Sequence, residues 1–337
     1  MAKFSAQMCN PLVIGPKGSG GSPGTTRDGA QVEVATGVDI SDLISGNGDG
    51  VGGSLRASRF RLRRFAGFVF LLTIWSFGCN WRWRNTLPTV PERIVAESSQ
   101  DWGRIVLAEN HCALVNNVWN KAAAGGAFRQ EVFVGEAAGT KIPGWRWSSP
   151  WHFIPRVVSQ PQIVCGDKPW DAPSGLRNDF PFQAGSKRLT AFFKASLRAS
   201  SVYNMSFTMW AVSSLPSTRS VITHEIMIWT VNRGQTPAGT RRGVLDVNGT
   251  TYDVYVEEKH GDASGANANV WMYVAFVARR PVLNGPLDLD AFIAYLLQQG
   301  LLTKDHFVTS VELGNEVSQG AGIVELRDFS VRIAERE

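Results

Sequence analysis

From about residue 100 onward the chain is written as short apolar or alternating runs broken by Gly, Pro, Asn and Ser, and this punctuation restricts it to an all-β architecture. The runs are Cys112–Trp119, Arg188–Leu197, Tyr203–Ala211, Ile222–Trp229, Gly243–Val247, Thr251–Glu257, Trp271–Val277, Phe307–Leu313 and Phe329–Ile333. Asn248-Gly249 between two of them predicts a tight hairpin, because a type I′ turn needs positive φ at both central residues. One helix is expected, Leu289 to Gln299, where Phe292 and Leu296, and Ile293 and Leu297, recur at helical spacing before Gly300. Many strands and one short helix over the last ~240 residues predict a sandwich of two antiparallel sheets.

The segment before that region has a different character. Residues 1–58 are Gly-rich, carry almost no aromatics and show no sustained apolar period, so they are read as a flexible leader. Residues 59–79 join the basic stretch Arg59-Phe-Arg-Leu-Arg-Arg64 to the apolar stretch Phe65–Phe77, which predicts a signal peptide or a membrane anchor. Ser76-Phe-Gly-Cys79 resembles the end of a lipoprotein signal, with Ser76 where an aliphatic residue is usual. Its distance from Met1 suggests either a start assigned too early, with the true one near Val51 or Leu55, or an uncleaved anchor. Residues 80–100 are read as a linker and 101–337 as the folded domain. Export, and a tether through the leader, are the corresponding expectations.

Charge and cysteine use narrow the function. The formal net charge is +5, but the leader and apolar stretch carry a disproportionate share of the excess bases, so the body is close to neutral. No nucleic-acid surface is expected. Of the four cysteines, Cys9 and Cys79 precede the domain, so Cys112 and Cys165 could form at most one disulfide there, and spacing does not show whether they pair. The five histidines are dispersed and no metal-ligand cluster is visible, so neither metal nor cofactor is expected.

Side chains alternate across a strand, and the runs can be divided into faces. In Tyr203–Ala211 the set Tyr203, Met205, Phe207, Met209, Ala211 is apolar, whereas Asn204, Ser206, Thr208 and Trp210 form a polar face with one indole. In Ile222–Trp229, His224 belongs with Ile226 and Ile228 on a core face, while Glu225, Met227 and Trp229 share the other. In Phe307–Glu316, Phe307, Val311 and Leu313 are the core set; Ser310, Glu312, Gly314 and Glu316 oppose them if no bulge intervenes. Faces that combine carboxylates, amides and indoles suit a sugar, whose CH faces stack on rings while its hydroxyls take hydrogen bonds.

The motifs on these faces are specific. His224-Glu-Ile-Met-Ile-Trp229 resembles the nucleophile strand of glycoside hydrolase family 12, and Ser310-Val-Glu-Leu-Gly-Asn-Glu316, with Gly320-Ala-Gly322 after it, resembles that family's acid/base segment. Val115-Asn-Asn-Val-Trp119, Gly144-Trp-Arg-Trp147, Gly166-Asp-Lys-Pro-Trp170 and Thr236-Pro-Ala-Gly239 are similar to further elements of the family, in its order. The resemblance implies a β-jelly roll with an open cleft and hydrolysis of internal β-1,4 bonds of glucans with net retention. It implies Glu225 as nucleophile and Glu316 as general acid/base, with Glu312 the alternative acid. Asn117, Trp119, Trp145, Trp147, Asn204, Trp210, Met227, Trp229 and Pro237, with Glu312, are the implied substrate-binding positions. The expected partner is a β-glucan chain, cellulose-like or mixed-linkage, with xyloglucan or a non-catalytic sugar-binding role as alternatives, and the protein is expected to act as a monomer. Three positions depart from the family pattern: Asn204 and Glu312 stand where many members have Asp and Gln, and Gln160-Pro161 replaces a common Tyr-Pro.

Overall fold

The computed structural model describes residues 86–90, 92–152, 156–262 and 268–336, and the leader, the signal or anchor segment and Cys79 lie outside them. In chain order the strands are β1 (Arg93–Ser98), β2 (Arg104–Leu107), β3 (Cys112–Val115), β4 (Arg129–Ala137), β5 (Thr140–Ser149), β6 (Gln162–Gly166), β7 (Phe182–Gln183) and β8 (Lys187–Val212). They continue with β9 (Ile222–Arg233), β10 (Thr240–Val247), β11 (Thr250–Gly261), β12 (Val270–Ala278) and β13 (Asn284–Asp288), then helix α1 (Leu289–Gln298), β14 (Phe307–Gly314) and β15 (Val317–Glu335). Asp288 caps α1 by accepting from the Ala291 N–H at 3.2 Å, and Gly300 with φ 68° follows its end.

The two layers share a strand. The back layer runs β1-β4-β5-β15-β8, with β13 on the far edge of β8. The cleft layer runs β2-β3-β6-β14-β8 and continues through β9, β12, β11 and β10. The first half of β8 pairs with β15 and its second half with β14, so two runs that the sequence divides at Arg198–Val202 form one bent strand crossing between layers. Phe193 from the first half meets Phe207 from the second edge-on at 5.1 Å, across the core. This is the jelly roll the sequence predicts. Among the described residues all pairs are antiparallel except β9 with β12, which is parallel because the chain leaves β9 through residues 234–239 and re-enters the sheet at its far edge as β10.

Burial follows the alternation. Met205, Phe207, Met209, Ala211, Ile226, Ile228, Val311 and Leu313 all lie in the inter-layer core. The Asn248-Gly249 hairpin forms with φ of 50° and 71°. Cys112 and Cys165, on neighbouring strands β3 and β6, are joined by a disulfide.

Two expectations need correction, and two strands were not expected. β1 lies inside the segment read as linker and pairs with β4, so the folded unit includes residues before 101. The run Cys112–Trp119 leaves the sheet after Val115, where Asn116 bonds instead to the turn before β2: its N–H donates to Gly103 O at 2.8 Å and its side-chain amide to Gln100 O at 3.0 Å. β4 and β6 went unread because they are buried on both faces and lack a period-2 pattern.

Candidate active site

Cross-strand register sets the floor of the cleft. Ser310, Trp210, Glu225 and Tyr273 lie side by side on β14, β8, β9 and β12; the next rows are Glu312, Thr208, Met227, Ala275 and then Gly314, Ser206, Trp229, Val277. A cavity of about 370 Å³ opens on this face. Glu225 and Glu316 both line it, with Asn117, Trp119 and Trp210. These are the sequence-predicted site residues that the structure brings together.

Glu316 owes its place to a break in the ribbon. β14 ends at Gly314 and β15 begins at Val317, so Asn315 and Glu316 form the corner where the partner of β8 passes between layers. Buried Asn204 clamps that corner: its side-chain oxygen accepts from the Glu316 N–H at 3.2 Å, and its amide N–H donates to the Glu316 carboxylate. Asn315 is fixed in turn by its amide bond to Asn204 O and by the Trp145 indole N–H, both 2.8 Å. Glu225 accepts from the Trp271 indole N–H at 3.1 Å.

Burial pushes both carboxyl groups above the ordinary carboxylate range, and the charge of Glu316 raises Glu225 further. Two such acids in one cavity titrate as a pair that retains one proton over an interval of pH. Charges near Glu225 bias the location of that proton. Lys168 and the Trp271 N–H favour the Glu225 anion and Glu316 and Glu312 oppose it, while the Asn204 N–H favours the Glu316 anion.

The other predicted residues lie elsewhere. Trp145 and Trp147 are 0% exposed in the inter-layer core, so they do not meet a ligand. Arg146 between them pairs with Glu131 on the other face of β5, and the Trp-Arg-Trp alternation therefore sends both indoles inward. Glu312 is fully buried in an ion pair with Lys168 at 2.8 Å, which removes it as an alternative acid. Trp229 and Met227 face the cleft side of β9 but are buried in a cluster with Tyr273 and Ala238, under the connection to β10. Asn204 acts on Glu316 without reaching the cavity, and Pro237 lies off it. His224 is a satisfied core histidine, as expected: its ring nitrogens sit 2.7 Å from Leu301 O and 2.9 Å from Thr223 Oγ1, and burial lowers its pKa to about 4.

Several lining residues escaped the sequence reading as site residues. Trp170 and Trp271 flank the predicted Trp210 in a contiguous indole wall, with centroid separations of 4.9 and 5.5 Å and edge-on geometry. Gln160 lines the cavity and donates to Thr208 at 3.2 Å. His260, Asp262 and Arg219 border the same space, and so does Trp102 with its positive φ of 65°. The Gly166–Trp170 motif was the available signal for Lys168 and Trp170; His260 follows a register shift in β11 that sequence alternation does not reveal. Buried polar atoms without a protein partner gather here: Asn117 Oδ1, Trp170 Nε1 and Trp210 Nε1. Such atoms are rare and fit a ligand rich in hydroxyls.

The sequence profile of glycosyl hydrolase family 12 matches residues 110–334. A relative described as a probable xyloglucan-specific endo-beta-1,4-glucanase A, from Aspergillus clavatus, is 22% identical over 254 residues, covering 74% of this chain and 96% of its own. A family 12 xyloglucanase from Bacillus licheniformis superposes with a TM-score of 0.63 at 25% identity, over 71% of this chain and all of its own. An endoglucanase from Rhodothermus marinus gives a TM-score of 0.55 at 22% identity, over 72% of this chain and all of its own.

Proposed function

This chain belongs to glycosyl hydrolase family 12, and on that premise we propose that it hydrolyses internal β-1,4 bonds of β-glucan chains with net retention. The observation that carries the reading is the pair of carboxyl groups, Glu225 and Glu316, lining one indole-walled cavity. In this reading Glu225, as the anion, attacks the anomeric carbon while Glu316 protonates the departing oxygen; Glu316 then takes a proton from the water that releases the glycosyl-enzyme. Glu316 is suited to both tasks because Asn204 and Gln235 hold its backbone, while burial keeps its proton near neutrality. Trp119 and Trp210 offer indole surface to sugar rings, and Asn117 offers an unpaired side-chain oxygen.

Xyloglucan is the favoured branched substrate, because the Bacillus and Aspergillus proteins carry that name. Secretion as a monomer fits a polymeric substrate outside the cell, and the Cys112–Cys165 disulfide suits an oxidising compartment.

The test is reducing-sugar release from carboxymethyl-cellulose, barley β-glucan and xyloglucan by wild type, Glu225→Gln and Glu316→Gln. Each variant is expected to lose about 10²- to 10⁴-fold in kcat, and NMR of the first product is expected to show the β-anomer. Near wild-type rates in either variant overturn its role, and an initial α-anomer overturns retention.

A further inference from the structure

Glu312 stands in the cleft layer one row from Glu225, yet it is 0% exposed and the reaction above gives it no task. Its partner Lys168 is 2% exposed at the side chain, donates to Glu312 Oε2 at 2.8 Å and still lines the cavity that holds Glu225 and Glu316. The ammonium also lies 5.0 Å from the Trp170 ring centroid, a cation–π contact. Ser310 holds the other Glu312 oxygen at 3.3 Å. A buried ion pair is a weak source of stability, because desolvating two charges offsets most of their attraction. Its position beneath the indole wall calls for a different account.

We propose that the Lys168–Glu312 pair positions the reaction centre: Lys168 braces Trp170 and presents a positive charge to Glu225, Glu312 offsets that charge, and together they set the acid limb of the pH–rate profile. The inference rests on the reading of Glu225 as nucleophile. At low pH activity falls as the nucleophile takes up its proton, so a nearby cation moves that fall to lower pH and a nearby anion moves it to higher pH.

The other groups facing Glu225 are accounted for. Glu316 comes from the corner before β15, and Tyr273 and the Trp271 N–H from β12. His260 and Asp262 from the end of β11, and Arg219 from the turn before β9, border the same cavity. Asp171, near Glu312, is paired with Arg104 at 2.9 Å, and His224 on β9 itself points to the opposite face. Lys168 and Glu312 are the pair whose charges act on Glu225 in opposite senses.

The experiment is the pH dependence of kcat/KM on barley β-glucan for wild type, Lys168→Met, Glu312→Gln and the double variant, each checked for folding by circular dichroism. Lys168→Met is expected to move the acid limb up and Glu312→Gln to move it down, each by about half a unit or more. The double variant is expected to return close to wild type. Shifts of one sign, or none, in folded single variants overturn the proposal. Gln at position 312 keeps an oxygen for Lys168, so Glu312→Gln carries the test if Lys168→Met does not fold. Wild type without glucanase activity would refute the underlying reading; an active wild type with unmoved limbs refutes this inference alone.

Discussion

His224 and Glu225 are adjacent in sequence, and the pleat of β9 sends them to opposite solvents. His224 is held neutral in the core, whereas Glu225 reaches the cavity. The consequence for stability can be signed. Below its ordinary pKa of 6.5 a histidine in the unfolded chain takes a proton, but folded His224 does not do so until about pH 4. Stability therefore falls as pH drops through that window, by up to about 3 kcal/mol from this residue. Urea unfolding of wild type and His224→Gln at pH 7 and pH 4 should show the smaller loss in the variant; equal losses would show that His224 does not carry the effect.

At the scale of elements, the paired ribbon of β8 with β14 and β15 explains most of the site. It belongs to both layers, and the break at Asn315-Glu316 turns an acid out of the ladder at the bend. Trp145 supports the break from inside the core through Asn315, so it acts behind the site and not within it. The Cys112–Cys165 disulfide fixes β3 to β6 just before the chain turns to present Asn117 and Trp119. With a sequence separation of 53 between its ends, it is expected to contribute about 2–4 kcal/mol, chiefly by restricting the unfolded chain. The double variant Cys112→Ala/Cys165→Ala should show that loss in its denaturant midpoint, and an unchanged midpoint would assign the bond no stabilising role.

For the molecule as a whole, the boundary matters more than the composition suggested. β1 extends the back layer beyond β4, and Glu92, just before it, is bonded to Arg327 at 2.6 Å on β15. A fragment beginning at residue 101 removes that edge and leaves Arg327 to Glu325 and solvent. It is expected to melt roughly 5 °C or more below a fragment beginning at Thr86, by calorimetry. Equal melting temperatures would restore the linker reading of residues 80–100.

Local alternation was enough to identify the all-β class, the core faces of β8, β9 and β14, the capped helix and the Asn248-Gly249 turn, because each is set by a few neighbouring residues. The two motif glutamates were legible through the resemblance of their short segments to a known family. Sequence could not say which side of a doubly buried strand meets the ligand. Trp145, Trp147 and Trp229 look in sequence like Trp119 and Trp210, and only the stacking of layers and the path of the β9–β10 connection cover the first three. The pairing of Lys168 with Glu312 likewise joins residues far apart in the chain, and charge partners at that range are chosen by register between strands.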